Sequence, residues 1–187
     1  MTDEAATALG GWSSDVLGVP GQVRSVVVAP AAVLAGTARP VEATSTEIRQ
    51  LAADLVATMR VSPGCVGLAA PQIGVAADVF AVDVTGHPKT TTTHGTFVLC
   101  NARVMEASRW RVGREGCMSV PDLTGDVRRA GRLVVEAVLP GTGAAIRLHT
   151  DGFEARALQH EIDHCAGLLF LDRVAGAHAV FPRRVYR

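Results

Sequence analysis

The chain has 187 residues, of which 48% are hydrophobic and 19% charged, so it can bury a sizeable core and is not a disordered protein. Its 18 basic and 18 acidic residues give a formal net charge of zero, which provides no electrostatic signal for a nucleic-acid or membrane partner. Four cysteines are too few for a disulfide-built scaffold, so we expect reduced thiols in a cytoplasmic protein.

The beginning of the chain shows no regular pattern. Residues 1–22 contain scattered Gly and Pro without an apolar period, which predicts an N-terminal extension or partly ordered arm before a single domain over 23–187. Residues 24–38 are apolar like a signal peptide, but acidic residues precede them and Pro30 interrupts them. The segment is also too short to span a bilayer.

The first helix is predicted to begin near Thr44. Thr44 and Glu47 have the spacing of a capping box, and apolar residues then recur along one helical face. The Pro63-Gly64 pair ends the pattern. This apolar stripe predicts a core helix with no catalytic part.

Two strands are predicted over residues 79–84 and 96–100, with a polar hairpin loop over 86–95 between them. His87 and His94 flank this loop, where exposure to solvent is favoured over a metal site. Three further β patterns follow, over 127–129, 133–138 and 145–149.

A run of small residues over 65–74 contains one neutral amide, Gln72. Its composition is typical of a tight turn or packed loop, where another backbone segment can approach closely. The functional alternative is the wall of a cleft, in which main-chain groups pair with an extended peptide and Gln72 donates to an oxyanion.

A second informative stretch covers residues 114–121, where Gly116 and Pro121 predict irregular backbone. Cys117 lies between them. It is either a buried apolar residue or a thiolate that points into a site.

The stretch 159–164, QHEIDH, carries two histidines four residues apart. On a helix His160 and His164 lie on one face and can share a metal ion, while Glu161 reaches a water held by that ion. The alternatives are a solvated polar face and two histidines satisfied separately in the core.

The helix that carries this motif is predicted to start after Asp151-Gly152 and to end near Gly167. Phe153 and Ala157 lie seven and three residues before His160, on the histidine face. They are candidates to line a pocket beside the metal, although a core role is equally compatible with the spacing.

A catalytic divalent-metal site usually has a third protein ligand. Phe170 occupies the position where a metzincin needs histidine, and no glutamate follows Glu161 to complete a thermolysin-like site. Asp172 and His178 are weak candidates, and Cys117 is the better one. Cys165 would point about 100° around the helix from its neighbour His164, so a closed site that uses both cysteines is awkward.

Three blocks, VGLAAPQIG (66–74), EGCMSVP (115–121) and QHEIDH (159–164), together resemble peptide deformylase. The resemblance implies a single-domain α+β fold with antiparallel strands packed around a central helix that bears the HExxH motif. It also implies a hydrolase that removes formyl from the N-terminal formyl-methionine of new polypeptides. Fe²⁺ is the implied native metal, and Zn²⁺, Ni²⁺ or Co²⁺ can substitute.

The resemblance also assigns roles to individual positions. Cys117, His160 and His164 would be the metal ligands, and Glu161 the general acid/base. Gln72 and the backbone N–H of Met118 would hold the developing oxyanion. The substrate groove would be lined by Val66 and Gly67. Arg129 would fix Glu115, the Cys117 loop or Asp163, or else form a plain surface ion pair.

The chain departs from the family pattern in places. Cys65 stands where glycine is usual, and Met118 replaces leucine. The chain ends soon after Arg173 with no periodic helix, so we do not expect ribosome docking through a long C-terminal helix. Two alternatives remain at this point: an HExxH metallopeptidase with His178 as third ligand, and a non-catalytic protein with a structural metal.

Overall fold

Two antiparallel sheets and two α-helices make up the part of the chain that the computed structural model describes, residues 18–184. The strands are β1 (Gly67–Ala69), β2 (Val79–Val82), β3 (Phe97–Ser108), β4 (Arg111–Cys117), β5 (Val120–Arg129), β6 (Arg132–Val138), β7 (Ala145–Asp151) and β8 (Val180–Pro182). The helices are α1 (Thr46–Val61) and α2 (Gly152–Cys165). The larger sheet has the order β1-β2-β3-β6-β7 and the smaller one β4-β5-β8.

Helix α2 packs against the larger sheet, and this contact contains much of the core. Ala155 and Leu158 of α2 are fully buried in one apolar cluster with Phe80, Leu99 and Val135 from the strands. The predicted α+β fold, with antiparallel strands around a central helix, is therefore confirmed.

Most of the predicted N-terminal extension, residues 1–17, lies outside the described residues, as do residues 185–187 of the predicted domain. The part that is described runs along α1. The backbone N–H of Gln22 donates to Asp54 at 2.9 Å, and Arg24 pairs with the same carboxylate at 3.1 Å. The proposed domain boundary at residue 22 stays a prediction.

Helix α1 begins one residue later than a capping box at Thr44 predicts. Ser45 is the N-cap, and its hydroxyl accepts from the Ile48 N–H at 3.3 Å. The predicted capping residue was wrong by one position, because the hydroxyl of Thr44 donates to Glu42 at 2.8 Å instead. The helix ends at Val61, before Pro63, as expected.

The hairpin predicted around residues 86–95 is present, since β2 and β3 pair in antiparallel register. The two histidines nevertheless contact the protein. His87 stacks on Phe153 with ring centroids 4.0 Å apart, and His94 Nδ1 lies 2.5 Å from Glu154. Thr92 also donates to Asp151, so the loop is anchored to the start of α2.

The irregular backbone predicted over 114–121 is mostly wrong. Residues on both sides of Cys117 belong to the paired strands β4 and β5, joined by a tight turn at Met118 and Ser119. The register shifts between Gly116 and Cys117. A bulge at this point accommodates the glycine and re-aims the cysteine side chain without ending the strand pair.

We expect Ser45→Ala to lower the free energy of unfolding by about 1 kcal/mol, because the N-cap hydroxyl satisfies an otherwise free helical N–H. Thr44→Ala is the matched control, since its hydroxyl serves only an exposed contact with Glu42. Urea denaturation of the three proteins measures the effect. Equal losses in both variants would contradict the assignment of Ser45 as the cap.

Glu154 provides a pH-dependent contribution to stability. Burial would raise the pKa of this carboxyl, but hydrogen bonds from the side chain and backbone of His94 outweigh it, so its pKa lies below the usual 4.5. A folded-state pKa below the unfolded one means stability that is present above the unfolded pKa and lost as pH falls.

Glu154→Gln should therefore be less stable than the wild type at about pH 5, and the difference should shrink towards about pH 3. Chemical denaturation across this range measures it. A difference that stays constant down to the lowest pH would show that the charged form of Glu154 is not preferentially stabilised.

Candidate metal centre and substrate cleft

Cys117, His160 and His164 converge at the junction of the two sheets. The potential ligand atoms of the three side chains all lie within 4.8 Å of one another. Both histidines are on α2, one turn apart, while the cysteine is the last residue of β4. Cys117 Sγ is 3.2 Å from His164 Nε2.

This cluster fits a divalent metal ion. In a tetrahedral site with metal–ligand bonds of 2.0–2.3 Å, ligand atoms are on the order of 3.5 Å apart. His160 Nδ1 lies 3.0 Å from Glu115, which leaves Nε2 of the same ring as its free ligand atom. Glu161 Oε2 is buried and has no hydrogen-bond partner among the described residues, as expected beside a position that a metal and water would fill.

The imidazole environments differ sharply. Burial lowers the pKa of His160, but hydrogen bonds to Cys117 and Glu115 outweigh it and raise the value to about 10. Burial, with the neighbouring His160, lowers the pKa of His164 well below its usual range. Because a metal ligand must be deprotonated, a bound metal ion and the proton on His160 would compete for the same site.

A network of charged side chains contacts Glu115 and Asp163, which lie next to the candidate ligands. Arg129 is 4% exposed and makes two hydrogen bonds of 3.0 Å to Glu115, and it also pairs with Asp163. Arg156 adds a 2.7 Å bond to Glu115, and Arg173 a 2.7 Å bond to Asp163. Burial would raise the pKa of Glu115, but hydrogen bonds from His160 and Arg129 lower it to about 2. Arg129 is thus buried and links Glu115 to Asp163, so the alternative of a plain surface ion pair is wrong.

Glu161 lies beneath β1. Burial raises the pKa of its carboxyl to about 7. A Cβ atom built on Gly67 would collide with this carboxylate, 2.8 Å from Cδ and 2.9 Å from Cγ. The absence of a side chain at position 67 therefore lets the carboxylate and the strand come together.

Gln72 is oriented by a local turn. It lies in a short 3₁₀ helix, Ala70–Ile73, and its Oε1 accepts from the Ala69 N–H at 2.9 Å. That bond fixes which end of the amide faces the cluster. Its Nε2 lies 3.3 Å from Cys117 Sγ and 3.4 Å from Ser119 Oγ.

A cleft of about 410 Å³ opens over the cluster. Its lining includes all four residues predicted for substrate contact: Val66, Gly67, Phe153 and Ala157. Met118 and Gln72 line it too. The weaker third-ligand candidates, Asp172 and His178, are exposed and lie outside the cluster. Cys165 points into the core, with Sγ 4.0 Å from the Val79 carbonyl oxygen.

Sequence reasoning missed the basic residues of the cleft: Lys89, Arg114, Arg156 and Arg183. Two of them had a usable signal: Arg156 lies four residues before His160 on the helix, and Arg114 lies in the stretch that contains Cys117. Lys89 and Arg183 are 71 and 23 residues from His160 along the chain (160 minus 89, and 183 minus 160). Tertiary folding alone brings them to the cleft.

Comparison with known proteins identifies the group to which this site belongs. The sequence profile of the family described as polypeptide deformylase matches residues 23–179. The chain belongs to the peptide deformylase family. It is 38% identical to a peptide deformylase of Symbiobacterium thermophilum over 84% of this chain and 70% of the relative, and 41% identical to one of Halothermothrix orenii over 76% and 87%.

Solved structures agree. The fold superposes on the peptide deformylase of Thermotoga maritima with a TM-score of 0.74 at 29% identity, covering 83% of this chain and 99% of that one. A class I type b peptide deformylase from Acinetobacter baumannii, solved with Met-Ala-Ser bound, gives 0.75 at 33% identity, covering 81% and 99%.

The protein is therefore a hydrolase that removes the N-terminal formyl group from nascent polypeptides, in a metal-dependent family. This finding displaces the metallopeptidase and structural-metal alternatives. Among the described residues, no helix is both long enough and apolar enough to cross a membrane.

Gly67→Ala should abolish most deformylation while the fold and bound metal persist, because the new methyl group displaces the Glu161 carboxylate. Gly36→Ala is the control, since a Cβ there meets nothing closer than 3.8 Å. Steady-state assays, metal content and thermal melts separate the effects. Full activity in Gly67→Ala would show that Glu161 does not need its position beneath β1.

Proposed function

We propose that Cys117, His160 and His164 hold one divalent ion and that Fe²⁺ is the native ion. A thiolate with two imidazoles also accepts Zn²⁺, Co²⁺ or Ni²⁺, so the preference for Fe²⁺ rests on the family resemblance. When bound, the ion acts as a Lewis acid that lowers the pKa of water and polarises the formyl oxygen.

Glu161 is the proposed general acid/base. The observation that carries this role is its buried Oε2, which has no hydrogen-bond partner within residues 18–184 and so offers a free acceptor position in the site. It takes a proton from the attacking water as oxygen bonds to the formyl carbon. It then delivers the proton to the methionine nitrogen as the C–N bond breaks, which releases formate and a free amine.

The formyl oxygen becomes an oxyanion during this attack. Gln72 Nε2 and the backbone N–H of Met118 are the proposed donors to it, since both residues line the cleft beside Cys117. Each donor of this kind contributes about 3 kcal/mol to lowering the barrier. The Gln72 amide is preorganised by its bond to Ala69, so little reorientation is needed during the reaction.

The substrate backbone is proposed to bind as an added strand. β1 is an edge strand of the larger sheet and β4 an edge strand of the smaller one. Both border the cleft through Gly67 and Gly116, so main-chain groups can pair with an extended peptide. The methionine side chain would enter beside Val66, Phe153 and Ala157.

Formyl-methionyl nascent chains are the proposed partners, and the cytoplasm, where they are made, the proposed location. A long C-terminal helix for ribosome docking is not part of this proposal. The described residues after α2 contain two 3₁₀ turns, Phe170–Arg173 and Ala177–Ala179, and the short strand β8.

Glu161→Ala should retain the metal and lose turnover of formyl-Met-Ala-Ser by at least about 100-fold, because proton transfer is removed but the ligands remain. Cys117→Ala should lose the metal as well. Cys165→Ala is the matched control, since that buried thiol lies outside the cluster and should leave metal and rate unchanged.

Anaerobic purification, metal analysis and formate release test these variants together. Substantial turnover in Glu161→Ala would refute its role as the general base. Full metal content in Cys117→Ala would refute the ligand set.

A further inference from the structure

The cleft carries an excess of positive charge. Lys89, Arg114, Arg156 and Arg183 line it, and the only carboxylates in that lining are Glu115 and Glu161. Glu115 is already bound by Arg129, Arg156 and His160. Glu161 is 3% exposed at the reacting end. Among residues 18–184, the lining of the cleft therefore offers no free carboxylate to neutralise these cations.

Two of the four cations have no acidic partner within the described residues. Arg114 pairs with Asp126 at 2.7 Å, and Arg156 with Glu115. Lys89 and Arg183 form no ion pair there, although both face the cleft. Lys89 is also the only lysine in the chain.

The backbone of Lys89 is anchored beside the cleft, while its side chain is exposed. Its N–H donates to His87 Nδ1 at 3.2 Å, and His87 stacks on Phe153 of α2. Lys89 Nζ lies 5.9 Å from the same phenyl ring. Phe153 precedes His160 by seven residues on α2, a rise of roughly 10 Å, so Lys89 approaches the helix about two turns from that histidine.

Arg183 lines the cleft from a different element, directly after β8. Its backbone N–H donates to the Asp122 carbonyl oxygen at 2.8 Å. Its Nη2 lies over Gly116 and donates to the Cys117 carbonyl oxygen at 3.2 Å. This bond uses one of five guanidinium N–H donors, so others stay available to an incoming carboxylate.

We infer that the enzyme favours formyl-methionyl chains with an acidic side chain at the second or third residue, because two cations without an acidic partner among residues 18–184 line the cleft. The inference rests on the proposed substrate groove. An extended peptide advances about 3.3 Å per residue, so a span of roughly 10 Å from the reacting end reaches the third residue. We therefore assign Lys89 to the side chain of the third residue. Arg183, which binds the Cys117 carbonyl oxygen close to the reacting end, is assigned to that of the second.

The test compares formyl-Met-Ala-Ser with formyl-Met-Asp-Ser, formyl-Met-Ala-Glu and formyl-Met-Ala-Lys. Acidic peptides should have kcat/KM about two- to five-fold above formyl-Met-Ala-Ser, mainly through a lower KM, as expected for partly exposed ion pairs. The lysine peptide should fall below it. About 1 M salt should remove the differences, because it shortens the screening length to about 3 Å.

Lys89→Gln should abolish the advantage of glutamate over serine at the third residue, and Lys89→Glu should transfer it to lysine. Arg183→Gln should reduce the preference for aspartate at the second residue. Arg147→Gln, which removes an equal charge from an exposed site on β7 outside the cleft, should change no ratio.

Equal kcat/KM for all peptides, or ratios unchanged in Lys89→Gln, would overturn the charge preference while leaving deformylation intact. Failure to release formate from any peptide would instead overturn the proposed site roles. The two failures are therefore distinguishable.

Discussion

The buried guanidinium of Arg129 joins the two parts of the molecule that supply the candidate metal ligands. It bonds to Glu115 on β4, two residues before Cys117, and to Asp163 on α2, next to His164. Without it, two carboxylates would be buried at the same junction with less neutralisation. Buried charges are costly unless they are paired and hydrogen-bonded. The pairing therefore favours one relative position of strand and helix.

The same network also sets the orientation and tautomer of one candidate ligand, His160. Glu115 is bound by Arg129 and Arg156, and it accepts from His160 Nδ1. A carboxylate held in this way fixes both the ring orientation and the tautomer of a metal-binding histidine. The residues that stabilise the sheet–helix junction thus also determine which nitrogen of His160 faces the cluster.

Part of the site was predictable because some of its residues lie close together in the sequence. Four-residue spacing on one helix suffices to bring His160 and His164 together, and the short motif therefore identified them. Cys117 is 43 residues before His160 (160 minus 117) and arrives through the pairing of β4 with β5. The sequence pattern alone favoured Cys117 as the third ligand only because the other candidates fitted poorly. The resemblance to the family then assigned it as a ligand.

The fold was predictable to a similar degree and for the same reason. The apolar face of α1 and the apolar runs of the central strands β2, β3 and β6 follow from short-range patterns, and these elements were found. The cap at Ser45 was missed because Thr44 has equivalent chemistry one residue earlier, and only tertiary placement decides which hydroxyl is free. The strand pair around Cys117 was missed because a bulge and a tight turn can accommodate Gly and Pro signals inside a sheet.

Small residues in the first motif predicted that another part of the chain would come close. The group that does so is a side chain and not a backbone segment, since Gly67 leaves space for the Glu161 carboxylate. Gly116 does the same for the guanidinium of Arg183 on the other sheet. A missing Cβ on each edge strand therefore admits an ionisable side chain to the cleft: the carboxyl group of Glu161 at β1 and the guanidinium of Arg183 at β4. Substituting either glycine would change the charges that the peptide meets as well as the shape of the groove.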